Sequence, residues 1–89
     1  MRRNNQIIVE TLINKMFEIS GHSITFEDIK NRKDDWYSEY EMTSEECAEW
    51  MEWGTEYLKK TLKINKKLAE REMSMFNLSY GLKIAEPQN

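Results

Sequence analysis

"EECAEWMEWGTEYLKK", residues 45–60, decides how this chain folds. At 100° per residue it carries two apolar stripes. Cys47, Met51, Gly54 and Leu58 form the first, which Leu62 continues. Trp50, Trp53, Tyr57 and Ile64 form the second, centred roughly 90–100° from the first on the wheel. Together they take up about half the circumference, whereas a helix covered on one side needs an arc of only about 100°. Such a helix is either central, packed by other helices on both flanks, or covered on one flank by a partner subunit or a planar ligand. Gly54 lowers helix stability by about 1 kcal/mol relative to alanine. Its place on the first stripe predicts close approach of another helix.

The chain on either side supplies the neighbours. Thr43 with Glu46 three residues on is a capping box, and Glu45 and Glu46 suit the positive end of the helix dipole. The helix runs to about Leu62, and "KINKK" reads as a junction with Asn65 capping a last helix from Lys66 to about Tyr80. Gly81 is placed as its C′ residue and Leu82 as its C″. Toward the N-terminus, Ile8, Val9, Leu12, Ile13, Met16, Phe17 and Ile19 share one half of a wheel over 5–19, outside which only Ile7 falls. Asn4 or Asn5 is the expected cap and Gly21 the left-handed stop. "SITFEDIKNRK" predicts a short helix capped by Thr25, with Asp28 at capping-box spacing and Phe26 and Ile29 facing the core. Residues 34–42, "DDWYSEYEM", alternate like a strand but find no second strand in the sequence, so an extended or loosely helical connector is expected. The fold class is all-α: a small bundle of three to four helices in one domain over 1–84, with a frayed tail over 85–89.

Apolar residues make up 39% of the chain and charged residues 33%, yet ten aromatics and six methionines sit in that modest apolar share. A chain this short and polar, with large apolar side chains concentrated locally, is expected to complete its core as a homo-oligomer, a dimer first of all. The longest apolar run is Ile7-Ile8-Val9, far below the roughly 20 residues a membrane span needs. "MRRNNQ" is followed by no apolar leader segment, so no secretory signal is expected. Cys47 is the single cysteine, which excludes an internal disulfide and makes a reducing cytosol the expected compartment.

Charge is segregated. Residues 1–33 carry +2, residues 34–56 carry nine acidic side chains and no basic one, and residues 57–89 carry +4, for a net charge of −3. That balance argues against direct nucleic-acid binding. Within the quoted helix the acidic half precedes the basic half, as the dipole prefers, and Glu56–Lys60 is a favourable i,i+4 pair. A solvated face explains this layout. So does an acidic surface that blocks a basic cleft on another protein.

Chemistry is sparsely represented. His22 has no second histidine or cysteine at ligand spacing, so no metal site is expected. Cys47 has no general base near it in sequence, and the three glycines are isolated, which leaves no phosphate loop. No cofactor is implied, and a non-enzymatic role is expected. The last helix buries Leu68, Ala69, Met73, Phe76 and Tyr80 on this reading, with Glu72 between Leu68 and Phe76. A carboxylate there sits at the edge, pairs with a cation, or makes a polar contact in a ligand pocket. Lys67 and Arg71 lie beside Met75 and Leu78, a second mixed patch suited to a partner or an anionic ligand.

"WYSEYEMTSEECAEWMEWGTEYLKKTLKINKKLAEREMSMFNLSYGLK", residues 36–83, resembles small accessory proteins encoded by tailed bacteriophages, in its "WYSEYEMT" opening, its tryptophan-rich helix, its "KKLAEREM" helix and its "YGLK" ending. The resemblance covers about half the chain and transfers no activity or site residue. It implies expression in the host cytosol and antagonism of host defence by binding rather than by chemistry.

Two mechanisms follow. In the first, an oligomer sequesters a small nucleotide-derived signal, with Trp50, Trp53 and Tyr57 stacking on the base and Lys60, Lys67 or Arg71 meeting phosphates, Glu72 adding a polar contact. In the second, the acidic and aromatic segment 34–56 docks on a host protein and blocks it, as an inhibitor or nucleic-acid mimic. A structural assembly subunit is the third option.

Overall fold

The computed structural model describes residues 3–80 and 83–84. Among them are four α-helices: α1 (Arg3–Ser20), α2 (Phe26–Ile29), α3 (Ser44–Leu62) and α4 (Lys66–Tyr80). A 3-10 turn covers Trp36–Glu39, and two two-residue strands, β1 (Glu41–Met42) and β2 (Lys83–Ile84), pair in parallel. The all-α bundle expected from the hydrophobic periods is the fold observed. The short β pairing was not anticipated, because two residues are too few to show an alternation.

The helix ends follow their local chemistry. α1 stops at Gly21, whose φ of 77° is in the left-handed region that a side chain disfavours. His22 N–H reaches back to the Phe17 carbonyl at 3.0 Å and Gly21 N–H to that of Glu18 at 3.2 Å, the paired bonds of a Schellman stop. The Asp28 carboxylate accepts from Thr25 N–H at 2.9 Å at the start of α2. Thr43 caps α3 in both directions: its hydroxyl accepts from Glu46 N–H at 3.1 Å, and its own N–H donates to the Glu46 carboxylate at 2.8 Å. Asn65 Oδ1 accepts from Leu68 N–H at 2.9 Å and opens α4. Lys63, between α3 and α4, takes a left-handed conformation with φ 55°. Asn4 and Asn5 lie inside α1 rather than at its cap, since the helix already includes Arg3. Gly81, Leu82 and the expected tail 85–89 are outside the described residues.

α3 packs on both α1 and α4, as a helix with a half-circumference apolar arc must. Leu12, Ile13, Met16 and Phe17 from α1, Trp50 and Leu58 from α3, and Ala69 and Met73 from α4 are buried together. Gly54 lets α4 come close: a Cβ there would run into the terminal atoms of Met73 and lie 3.3 Å from a methyl of Leu12. The connector 34–42 is docked rather than loose. Trp36 and Met42 join the core, and Phe17 meets the rings of Trp36 and Tyr40 with centroids 5.7 and 5.4 Å away. His22 Nε2 donates to the Glu41 carbonyl at 2.9 Å, which ties the end of α1 to β1. Arg32 is ion-paired with both Asp34 and Glu39, holding the two ends of the 3-10 turn together.

Candidate functional site

The tryptophan stripe of α3 divides in the folded chain. Trp50 is fully buried, stacks obliquely on Phe76 with centroids 5.8 Å apart, and donates its indole N–H to the Leu12 carbonyl at 2.9 Å. It is a core residue, and a ligand base cannot reach it without parting α3 from α1. Trp53 and Tyr57 are half-buried and stacked on each other, with centroids 5.2 Å apart and planes 13° from parallel. The Lys15 ammonium sits 5.0 Å from the Trp53 ring centroid and also pairs with Glu18 at 3.1 Å. A cation over an indole is attracted by the ring quadrupole. Trp53 thus already has two partners from its own chain. The spacing of Trp53 and Tyr57 was readable, but nothing in the sequence marks Lys15 as their neighbour.

Along the first stripe Gly54 and Leu58 are buried, Cys47 and Met51 are half-buried and packed against the core, and Leu62, at its end, is 44% exposed. Burial raises the pKa of the Cys47 thiol, which disfavours the nucleophilic thiolate. On α4, Leu68 lies outside the core at 46% exposure, so Glu72 beside it is at the edge and exposed. Lys60, Lys67 and Arg71 are exposed as well. The structure brings Trp53 and Tyr57 together and leaves Lys60, Lys67, Arg71 and Glu72 as separate surface groups.

The described residues line a pair of surface grooves. One, of about 620 Å³, runs between α3 and α4 and is lined by Met51, Glu52, Thr55, Glu56, Lys66, Glu70 and Ser74. Three carboxylates against one ammonium make it unfavourable for a phosphate and favourable for a cation. The other, of about 350 Å³, has an apolar floor of Val9, Ile13, Phe26, Ile29 and Trp36, with Lys30 and Arg32 at its rim. Lys30 is held charged by donating a hydrogen bond to the Glu27 carboxylate, and Arg32 by donating to Asp34 and Glu39. Both cations are therefore already neutralised by their neighbours.

Glu45, Glu49, Glu52 and Glu56 line one side of α3, spaced four, three and four residues apart, and all four are exposed. The row is about 16 Å long at the rise of an α-helix. Of its members, Glu56 alone has an ion-pair partner among the described residues, Lys59 at 3.4 Å. Glu52 and Glu56 belong at once to this row and to the α3–α4 groove, where Glu70 faces them.

No protein-family model, curated protein or solved structure matches this chain. Among the described residues no helix is long and apolar enough to cross a membrane, and no group of three or more histidine, cysteine, aspartate or glutamate side chains is arranged to hold a metal ion.

Proposed function

We propose that this chain is a non-enzymatic binding protein that blocks a basic surface of another protein with the acidic side of α3. The observation that carries this reading is the row Glu45–Glu49–Glu52–Glu56, presented on a helix that is anchored by buried Trp50 and Leu58 and therefore rigid. A rigid charge row steers a basic partner and fixes its register. Its charges fall about 5–6 Å apart, sparser than the ~3.4 Å of one strand of duplex DNA, so it fits a discrete series of lysines or arginines better than it replaces a nucleic acid. One such side chain can enter the α3–α4 groove between Glu52, Glu56 and Glu70. In the setting that the phage resemblance implies, the partner is a defence protein in the host cytosol.

The sequestration mechanism finds less support. Trp50 is withdrawn into the core, Trp53 is engaged by Tyr57 and Lys15, and the larger groove is lined by carboxylates. The two readings separate cleanly in one pair of measurements. From host lysate at low salt, the wild-type chain is expected to retain one protein at stoichiometric level, and the Glu45→Lys/Glu49→Lys/Glu52→Lys variant is expected to lose it. Equal capture by both, or none by either, overturns the blocking role. A nucleotide panel is expected to leave tryptophan emission and melting temperature unchanged. A clear shift with one nucleotide restores the sequestration mechanism.

A further inference from the structure

α4 has a second apolar face that stays exposed among the described residues. Leu68, Met75 and Leu78 are 46%, 55% and 87% exposed, and they lie on the side of the helix opposite Ala69 and Met73, which are fully buried. Their spacing, with Arg71 between the first two, runs 68, 71, 75, 78, the alternating three-and-four step of a helix-pairing seam. One exposed leucine is ordinary on a protein surface, but a row of three large apolar side chains in seam register is what a second helix packs against.

The charges say which helix. Arg71 sits within the seam, Glu72 on one flank and Lys67 on the other, and among the described residues none of the three has an ion-pair partner. Lys66 and Lys67 stand in the first turn of α4, where no acidic residue offsets the positive end of the helix dipole. A second α4 laid antiparallel answers each of these features. With the two-fold axis level with Met73, Leu68 faces the partner's Leu78 and Arg71 faces the partner's Met75. Arg71 then lies within about 4–5 Å, measured along the axis, of the partner's Glu72. Lys67 comes level with the partner's Ser79, beside the negative end of that helix. A parallel pairing would instead set the two Arg71 side chains in one layer and align the two dipoles.

We propose that the outward face of α4 is a self-association surface, on which a second copy of this chain packs antiparallel through Leu68, Arg71, Met75 and Leu78, with reciprocal Arg71–Glu72 pairs. The proposal is independent of the α3 charge row, which lies on another helix. A seam of four layers is at the small end of stable interfaces, so the dimer is a concentration-dependent one.

Light scattering or sedimentation equilibrium of the full chain tests it. The average mass is expected to rise from one chain toward two between about 10 and 500 µM, the range that a small interface gives. Met75→Glu/Leu78→Glu is expected to stay at one chain's mass throughout, with an unchanged melting curve in dilute solution, because both side chains are exposed in the single chain. Arg71→Glu and Glu72→Arg are each expected to weaken the dimer at least tenfold, and the double exchange Arg71→Glu/Glu72→Arg to restore it. The α3 triple charge reversal is expected to leave the mass unchanged. A wild-type chain that stays at one chain's mass overturns the proposal, as does a dimer that survives Met75→Glu/Leu78→Glu. Failure of the double exchange to restore pairing overturns the antiparallel arrangement.

Discussion

The indole Nε1 of Trp50 donates a 2.9 Å hydrogen bond to the carbonyl oxygen of Leu12, thirty-eight residues earlier, and both residues are buried. This bond fixes the rotation of α3 against α1. It thereby decides which aromatic of the Trp50, Trp53, Tyr57 stripe is core and which two reach the surface.

Trp50→Phe removes the bond and leaves space where the second ring was. The Leu12 carbonyl still has its own helix partner four residues on, so no orphaned acceptor adds to the loss. One buried hydrogen bond and a partial cavity together put the destabilisation at about 2–3 kcal/mol. For a domain of this size that lowers Tm by roughly 10 °C or more. Trp53→Phe, at a half-buried position, is expected to cost less than about 1 kcal/mol. Thermal unfolding followed by circular dichroism compares the two. Equal tolerance at both positions would show that Trp50 is not the anchor.

Gly54 and Met73 meet where α3 packs on α4, and they give a prediction in which the sign depends on the partner. Gly54→Ala gains about 1 kcal/mol of helix propensity, but its methyl collides with the end of a fully buried methionine. Overpacking of that kind costs about 1–3 kcal/mol, so the single variant is expected to lie between unchanged and about 2 kcal/mol less stable. Met73→Ala alone loses about 2–5 kcal/mol. In the Met73→Ala background, however, the collision is gone, and Gly54→Ala is expected to become stabilising by about 1 kcal/mol. A double-mutant cycle from urea unfolding measures the coupling. Additive effects would mean that the two positions do not touch.

These contacts mark the boundary of what the sequence displays. The stops at Gly21 and the caps at Thr43 and Asn65 depend on residues within a few positions of each other, and their side-chain chemistry is visible in the chain itself. The carboxylate row on α3 is visible for the same reason, because its spacing is helical. By contrast, a stripe wider than a single contact face does not say where its edges will be closed. Trp50 is sealed by a carbonyl of α1, and Leu68 is left outside because α4 turns Met73 toward Gly54 and buries Ala69 on that same side. The connector 34–42 reads as indeterminate because what orders it is remote: Phe17 of α1 and His22 just after that helix on one side, and the backbone of 83–84 on the other. Lys15 over Trp53 is likewise a matter of how α1 lies on α3.

The ion pairs of Arg32 give the last prediction, one of pH. Hydrogen bonding to the Arg32 guanidinium holds the Asp34 carboxyl below its ordinary value. The carboxylate form is therefore favoured in the folded chain over the unfolded one. A group shifted in this direction contributes stability that is complete above the unfolded value, near pH 4, and that is lost as pH falls through the lower folded value. Asp34→Asn is expected to show a small deficit in Tm at neutral pH that closes as the pH drops below about 4, because the wild-type carboxylate is then protonated too. The same deficit should shrink in about 1 M salt, since Asp34 is exposed and its pairing is screened. Arg32→Gln should reproduce the effect and exceed it, because the guanidinium also holds Glu39 at the far end of the 3-10 turn. Melting curves of the wild type and both variants across the acid range decide the matter: a deficit that stays constant from neutral to strongly acidic pH would show that Asp34 acts through packing and not through its charge.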